Sequence, residues 1–214
     1  MSSFDQLAEL YEPLERLTFA SRLQDIRRFC LPFARARQRG LLIGDGDGRF
    51  SAELLASNPD ILIDSIDLSP RMQEFARRRA GDNSERLESY VAEALEFSYP
   101  TNAYDFIGLH FVLDCFDQDS ICRLLPQLEA SLKDGGLIAY SDFQANKAWQ
   151  RFLVKCLYFC FRVGAGLKTQ SLPTVNWSAN IQIVAAKETL GGLVFSQVLE
   201  KKQPATIAAG SENR

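Results

Sequence analysis

Three glycines at alternate positions, Gly44, Gly46 and Gly48, follow the apolar run Leu41-Leu42-Ile43 and lead into a helical segment that opens near Phe50. Glycine at this spacing lets the backbone turn tightly and leaves no Cβ between main chain and ligand, while the helix behind it offers unpaired N–H groups. This is the pattern of a nucleotide-side pocket. Nineteen residues beyond Gly48, Asp67 ends the run ILIDSID, where one carboxylate can accept both hydroxyls of a ribose. The plainer reading, a tight turn that only lets helix and strand pack closely, weakens once Asp67 is counted with the loop. A second group of reactive side chains closes the run YDFIGLH: His110, the chain's single histidine, then Asp114 and Cys115. An imidazole with an ordinary pKa of about 6.5 can deprotonate a hydroxyl, or it can simply line a pocket or close a strand. Asp114 reads as a second acid–base group or as a cap before the next helix, and Cys115 as a packing thiol. Asp142 and Phe143 face the same edge, as substrate contacts or as the entry to a helix.

Composition removes several function classes. Among 214 residues, 24 Lys and Arg stand against 27 Asp and Glu, so the net charge of -3 gives no general attraction to nucleic acid, and none is expected as a partner. The five cysteines include no CxxC pair, and one histidine cannot build a zinc site, so no metal and no disulfide framework are expected. The opening MSSFDQLAELYEPLERL lacks the basic start and apolar run of a secretory signal, which leads to the expectation of reduced thiols and a cytoplasmic protein. The most apolar stretch, Phe152 to Leu167, is 16 residues long and interrupted by Lys155 and Arg162. That is short of the roughly 20 residues that cross a bilayer.

The elements that must position these residues follow from periodicity. Residues 4–37 repeat apolar side chains every three or four positions, with Pro13 and Pro32 breaking or starting turns. Strands are read at 41–43, 61–67, 89–92, 104–110 and 136–142, with helices near 50–57, 70–80 and 118–133 between them, the last followed by the turn Lys133-Asp134-Gly135-Gly136. Strands alternating with helices imply a parallel sheet covered on both faces. Runs at 181–186 and 193–201, joined through Gly191-Gly192, read as an antiparallel hairpin. The expectation is an α/β, doubly wound, seven-stranded sheet, mostly parallel with a C-terminal antiparallel hairpin. It comprises an N-terminal helical lid at 1–40, the main body at 41–202 and a disordered tail at 203–214.

The G-x-G-x-G spacing, the acid after the second strand and the terminal hairpin together resemble the class I S-adenosylmethionine-dependent methyltransferases, whose fold is Rossmann-like. The resemblance runs from Leu41 to Lys201. It implies that Gly44, Gly46 and Gly48, with Asp45 and Asp47 between them, carry the methionine part of S-adenosylmethionine, and that Asp67 binds the ribose. The motif DLSPRM at 67–72 looks like the family's exit from its second strand, which implies Leu68 and Met72 near the adenine. VAEALEF at 91–97 looks like its turn after the third strand, which implies Glu93 at the adenine amino group with Ala94 beside it. His110 would meet both cofactor and acceptor. The family usually places an acid two residues before the first glycine; this chain has Leu42 there, so the amine contact is replaced or lost.

What the resemblance implies is methyl transfer to a small acceptor. Trp149, Phe152, Leu153, Cys156, Leu157, Phe159, Cys160 and Phe161 cover more than one face of a helix at 149–167, which points to an apolar or aromatic acceptor, to lipid contact or to a homodimer, against the plainer reading of a core helix. Phe4, Tyr11 and Phe19 suit an N-terminal lid. Arg27, Arg28, Arg35, Arg37 and Arg39 form a basic patch, read as a solvated face or an anion contact. Two rivals stand beside this reading: a catalytically inactive S-adenosylmethionine-binding partner or regulatory subunit, and an NAD-linked oxidoreductase, which the loop spacing and the hairpin disfavour.

Overall fold

A computed structural model describes residues 20–154 and 172–203. Seven strands form one sheet in the order β3-β2-β1-β4-β5-β7-β6, comprising β1 (Arg39–Ile43), β2 (Leu62–Asp67), β3 (Leu87–Val91), β4 (Tyr104–His110), β5 (Leu132–Phe143), β6 (Ile181–Thr189) and β7 (Val194–Lys201). The first five pair in parallel, and β7 runs antiparallel to both β5 and β6. The expected mostly parallel sheet with a terminal hairpin is therefore the observed one. The strand order reverses beside β1, which places the glycine loop at the switch point where open α/β sheets bind ligands.

Local chemistry explains the helices. Pro70 opens α4 (Pro70–Ala80) behind the cap Ser69, whose hydroxyl accepts the Met72 N–H at 3.3 Å. Asp117 caps α5 (Gln118–Ser131) through the Ser120 N–H at 2.8 Å. Ahead of them lie α1 (Ala20–Arg28), the single-turn α2 (Leu31–Ala34), which Pro32 enters, and α3 (Arg49–Ser57). The helix expected to reach residue 133 stops at Ser131, and β5 begins at once. The turn expected at 133–136 survives inside that strand: Tyr104 pairs with Leu132 but Phe106 with Leu137, so the intervening residues bulge.

Two apolar layers sandwich the sheet. On one face α5 packs Ile121, Leu124, Leu125 and Leu128 against Leu41, Ile107, Leu109 and Ile138. On the other, Phe50, Leu54 and Ala76 of α3 and α4 join Cys30 and Ala34 over Leu42, Phe106 and Ala139. The described part of the N-terminal segment is thus a structural layer of the sheet, with Cys30 and Ala34 fully buried. A helical stretch at 148–154 buries Val154 and leaves Trp149, Phe152 and Leu153 exposed. The expectations for residues 1–19, for Cys156 to Leu167 and for the tail beyond Gln203 lie outside the described residues. No helix among the described residues is long and apolar enough to cross a membrane.

Candidate active site

The loop after β1 is built from left-handed glycines: Gly44, Gly46 and Gly48 have φ of 64°, 62° and 77°. Their surroundings differ. A Cβ on Gly48 would lie 2.3 Å from the Ala76 main chain, so Gly48 lets α4 approach the loop. A Cβ on Gly46 would meet nothing within 4 Å, so the main chain there borders open space. Beside it, one Asp67 oxygen accepts the Gly46 N–H at 3.3 Å and the other accepts the Ser69 N–H at 2.9 Å. Burial raises the Asp67 pKa, opposed by those two N–H donors. An open cradle edged by a carboxylate fits a nucleoside whose ribose hydroxyls would replace the long bond to Gly46.

The remaining cofactor-side residues divide. Asp67 pairs with Val91, and Ala92 donates its N–H to the Asp67 carbonyl at 3.2 Å, which brings the ends of β2 and β3 together. Exposed Leu68, half-buried Met72, exposed Glu93 and buried Ala94 all belong to these two ends. The loop's acids are engaged by the protein. Asp45 accepts the Ser51 N–H at 3.1 Å and so holds the first turn of α3; desolvation pushes its carboxyl up to about 6. Asp47 accepts from Arg49 and Arg79, both at 2.9 Å, and ties the loop to α4.

At the end of β4 the structure separates the two residues expected to do acid–base work. His110 shares a face with Phe106 and Gly108, as strand alternation requires, and that face is the packed one beneath α3. Its Nδ1 lies 3.0 Å from the Ser141 hydroxyl, its Nε2 3.9 Å from the Cys30 Sγ, and its ring edge-on to Phe50 at 4.2 Å. Burial, aided by the charge of Arg27, pushes its pKa down to about 3, so the ring is neutral. Ser141 passes the bond on to Ser196 at 2.9 Å. This geometry makes His110 a member of a buried network across β4, β5 and β7 and argues against its use as a base.

Asp114 lies in a single 3₁₀ turn, Leu113–Cys115, half-buried at the sheet's carboxyl edge. Its backbone N–H donates to the carboxylate of buried Asp142, which also accepts the Phe143 N–H at 2.8 Å and the Tyr140 hydroxyl at 3.4 Å. Desolvation raises both acids, Asp114 to about 6, and at Asp142 the neighbouring Asp114 charge adds to the rise. Burial first, and then the neighbouring carboxylates, push the Cys115 thiol up, so it is no ready nucleophile. Asp142 as Asp114's partner is the residue that sequence reading left undecided; its place one strand over from His110, at the same edge, was the available signal. Among the described residues no three metal-ligating side chains come together.

Residues 41–136 match the family model described as a methyltransferase domain. A malonyl-[acyl-carrier protein] O-methyltransferase of Ilyobacter polytropus is 34% identical over 109 residues, covering 51% of this chain and 39% of that protein. A demethylmenaquinone methyltransferase of Thermus thermophilus is 27% identical over 158 residues, covering 73% of this chain and 71% of that one. The YcgJ protein of Bacillus subtilis shares the fold, with a TM-score of 0.62 at 14% identity over 84% of this chain and 99% of that chain. The chain spans 39%, 53% and 38% of the length of three malonyl-[acyl-carrier protein] O-methyltransferases it matches. The glycine cradle, the acid at the end of β2 and the strand order agree with these likenesses: residues 41–136 match the methyltransferase-domain family, and the fold is that of the class I S-adenosylmethionine-dependent methyltransferases.

Proposed function

We propose that this chain binds S-adenosylmethionine across the glycine cradle and transfers its methyl group to a small acceptor with an apolar or aromatic body. The observation that carries the reading is the open main chain at Gly46 beside the Asp67 carboxylate. When bound, the cofactor supplies a methyl group already activated by its sulfonium, which leaves alignment, exclusion of water and proton removal to the protein. Asp67 accepts the ribose hydroxyls. Leu68, Met72 and Ala94 border the adenine, with Glu93 at its amino group. Gly44 and Gly48, with Asp45 and Asp47, hold the loop in shape.

On the acceptor side, Asp114 takes the proton of an O–H or N–H acceptor, and Asp142 fixes it through the Asp114 N–H. His110 acts through Ser141 as a positioning residue. Phe111 and Phe143, with ring centroids 5.3 Å apart, offer the acceptor an aromatic wall at the same edge. The relatives' named acceptors, a malonylated carrier protein and a demethylmenaquinone, differ from each other, so the acceptor class here rests on this chain's own aromatic edge.

Calorimetric titration with S-adenosylmethionine, S-adenosylhomocysteine and NAD tests the reading. The first two bind at micromolar concentration and NAD gives no heat. Asp67→Ala abolishes binding while the domain stays folded; unchanged affinity in that variant refutes the assignment. Asp114→Asn keeps cofactor affinity and lowers turnover at least about tenfold. Because the base must be ionised, the parent's turnover rises with pH through about 6.

A further inference from the structure

The chain leaves β4 through Phe111, a bulky residue at a left-handed φ of 56°. Such a backbone is costly for any residue with a Cβ and persists only where the surroundings hold it. Here the main chain and the ring are both held. The Phe111 N–H donates to the Ser141 carbonyl at 2.8 Å, one step beyond the pairing of His110 with Ser141. The ring meets the Arg27 guanidinium, whose Cζ lies 4.9 Å from its centroid, and the Phe143 ring at 5.3 Å.

The turn reverses the faces that strand alternation would assign. Continued as a strand, the chain would put Phe111 with Leu109 on the α5 side of the sheet and Val112 with His110 on the other. Instead the Phe111 ring packs against the cluster of Ile26, Val154, Leu193 and Val194 on the α1 side, and Val112 and Leu113 are buried in the layer beneath α5. Val112 then abuts the glycine loop, where a Cβ on Gly44 would lie 2.5 Å from its Cγ2. Its carbonyl accepts the Cys115 N–H at 3.1 Å and so opens the 3₁₀ turn Leu113–Cys115, which seats Asp114 on Asp142. One backbone angle therefore sets both the flank of the cofactor loop and the place of the acid.

We infer that Phe111 is a positioning residue for methyl transfer: its left-handed turn, clamped by its ring, seats Val112 against the glycine loop and Asp114 at the acceptor edge. The inference rests on the methyltransferase reading and adds to it a residue that acts through its main chain. Conformation and ring then have separable roles. The conformation positions the neighbours, and the ring, held by Arg27 and Phe143, keeps the conformation.

Variants of the full chain that lack the ring separate the two roles. Glycine takes a left-handed turn freely, alanine bears its cost with no clamp to offset it, and β-branched valine bears more. In calorimetric titrations Phe111→Gly binds S-adenosylhomocysteine within about twofold of the parent. Phe111→Ala binds it at least about tenfold more weakly, and Phe111→Val more weakly still. The Asp114 carboxyl, followed by carbon NMR of aspartate-labelled protein, titrates at about 6 in the parent and in Phe111→Gly, and falls towards the ordinary value of about 3.9 in Phe111→Ala. A ring that serves packing alone gives the reverse order or none, because Phe111→Gly removes the most apolar surface of the three. Equal affinities of Phe111→Gly and Phe111→Ala, at the parent's level or below it, overturn the inference, as does an Asp114 titration that Phe111→Ala leaves unmoved. If Phe111→Ala and Phe111→Val do not fold, Phe111→Gly still decides: a folded variant that loses affinity at least about tenfold overturns the inference, and one that keeps it supports it. If the parent binds no S-adenosylhomocysteine, the methyltransferase reading itself falls.

Discussion

At the residue scale the three glycines of one motif do different work. Gly48 keeps α4 against the loop, whereas Gly46 keeps a surface bare. Alanine at either position adopts a left-handed φ at a cost of about 1–2 kcal/mol. At Gly48 the added methyl also meets main chain at 2.3 Å, so Gly48→Ala destabilises by about 3 kcal/mol or more. Gly46→Ala costs only the backbone term and yet loses cofactor affinity at least about tenfold, because its Cβ projects into the cradle. Denaturant melts paired with titrations separate the two; equal stability losses with equal affinity losses would contradict this division. The glycine spacing and Asp67 were legible in the sequence because both are local signals. The engagement of Asp47 was not, since its partner Arg79 lies 32 residues away.

At the element scale, one buried amide fastens three segments. Asn58, 1% exposed at the end of α3, donates to the carbonyls of Ala34 and Arg37 at 2.8 and 2.7 Å and accepts the N–H groups of Asp60 and Ile61 at 3.0 and 3.2 Å. It joins α3, the end of the N-terminal layer and the entry to β2. Asn58→Ala leaves these groups unsatisfied and lowers stability by about 3 kcal/mol, with faster proteolysis between α2 and β1. A variant that melts with the parent would show the contact to be dispensable. Sequence reading placed α4 at 70–80, where it lies, because the Ser-Pro start and apolar spacing are self-contained. It placed the end of α5 two residues late, because the early start of β5 depends on pairing with β4.

At the scale of the whole molecule, buried charges of opposite kind give stability two opposed pH dependences. His110, with a folded pKa of about 3 against about 6.5 unfolded, binds fewer protons in the native state, so stability is lost as pH falls from about 6.5. Burial, and then the neighbouring Asp114, raise Asp142, so its contribution to stability is lost as pH rises above the unfolded value of about 3.9. Relative to the parent, His110→Asn therefore gains about 3 kcal/mol between pH ~7 and pH ~4. Asp142→Asn gains in the opposite direction, as pH rises above ~4. Thermal melts across this range check both signs; two variants drifting the same way would refute the assignment of one of them.

The sequence by itself determined the alternation of strands and helices, the terminal hairpin, the glycine loop and the acid at the end of β2. Each is set by periodicity or by backbone chemistry within a few residues. Only the tertiary structure decided which reactive side chains meet. Strand alternation and the covering helices put His110 against Ser141 and Cys30, 31 and 80 residues away, where it is desolvated and neutral. The same packing set Asp114 on Asp142 and carried Arg27 onto Phe111. A residue's type announces what it can do; its partners and its dielectric surroundings, which depend on strand order and layer packing, select what it does.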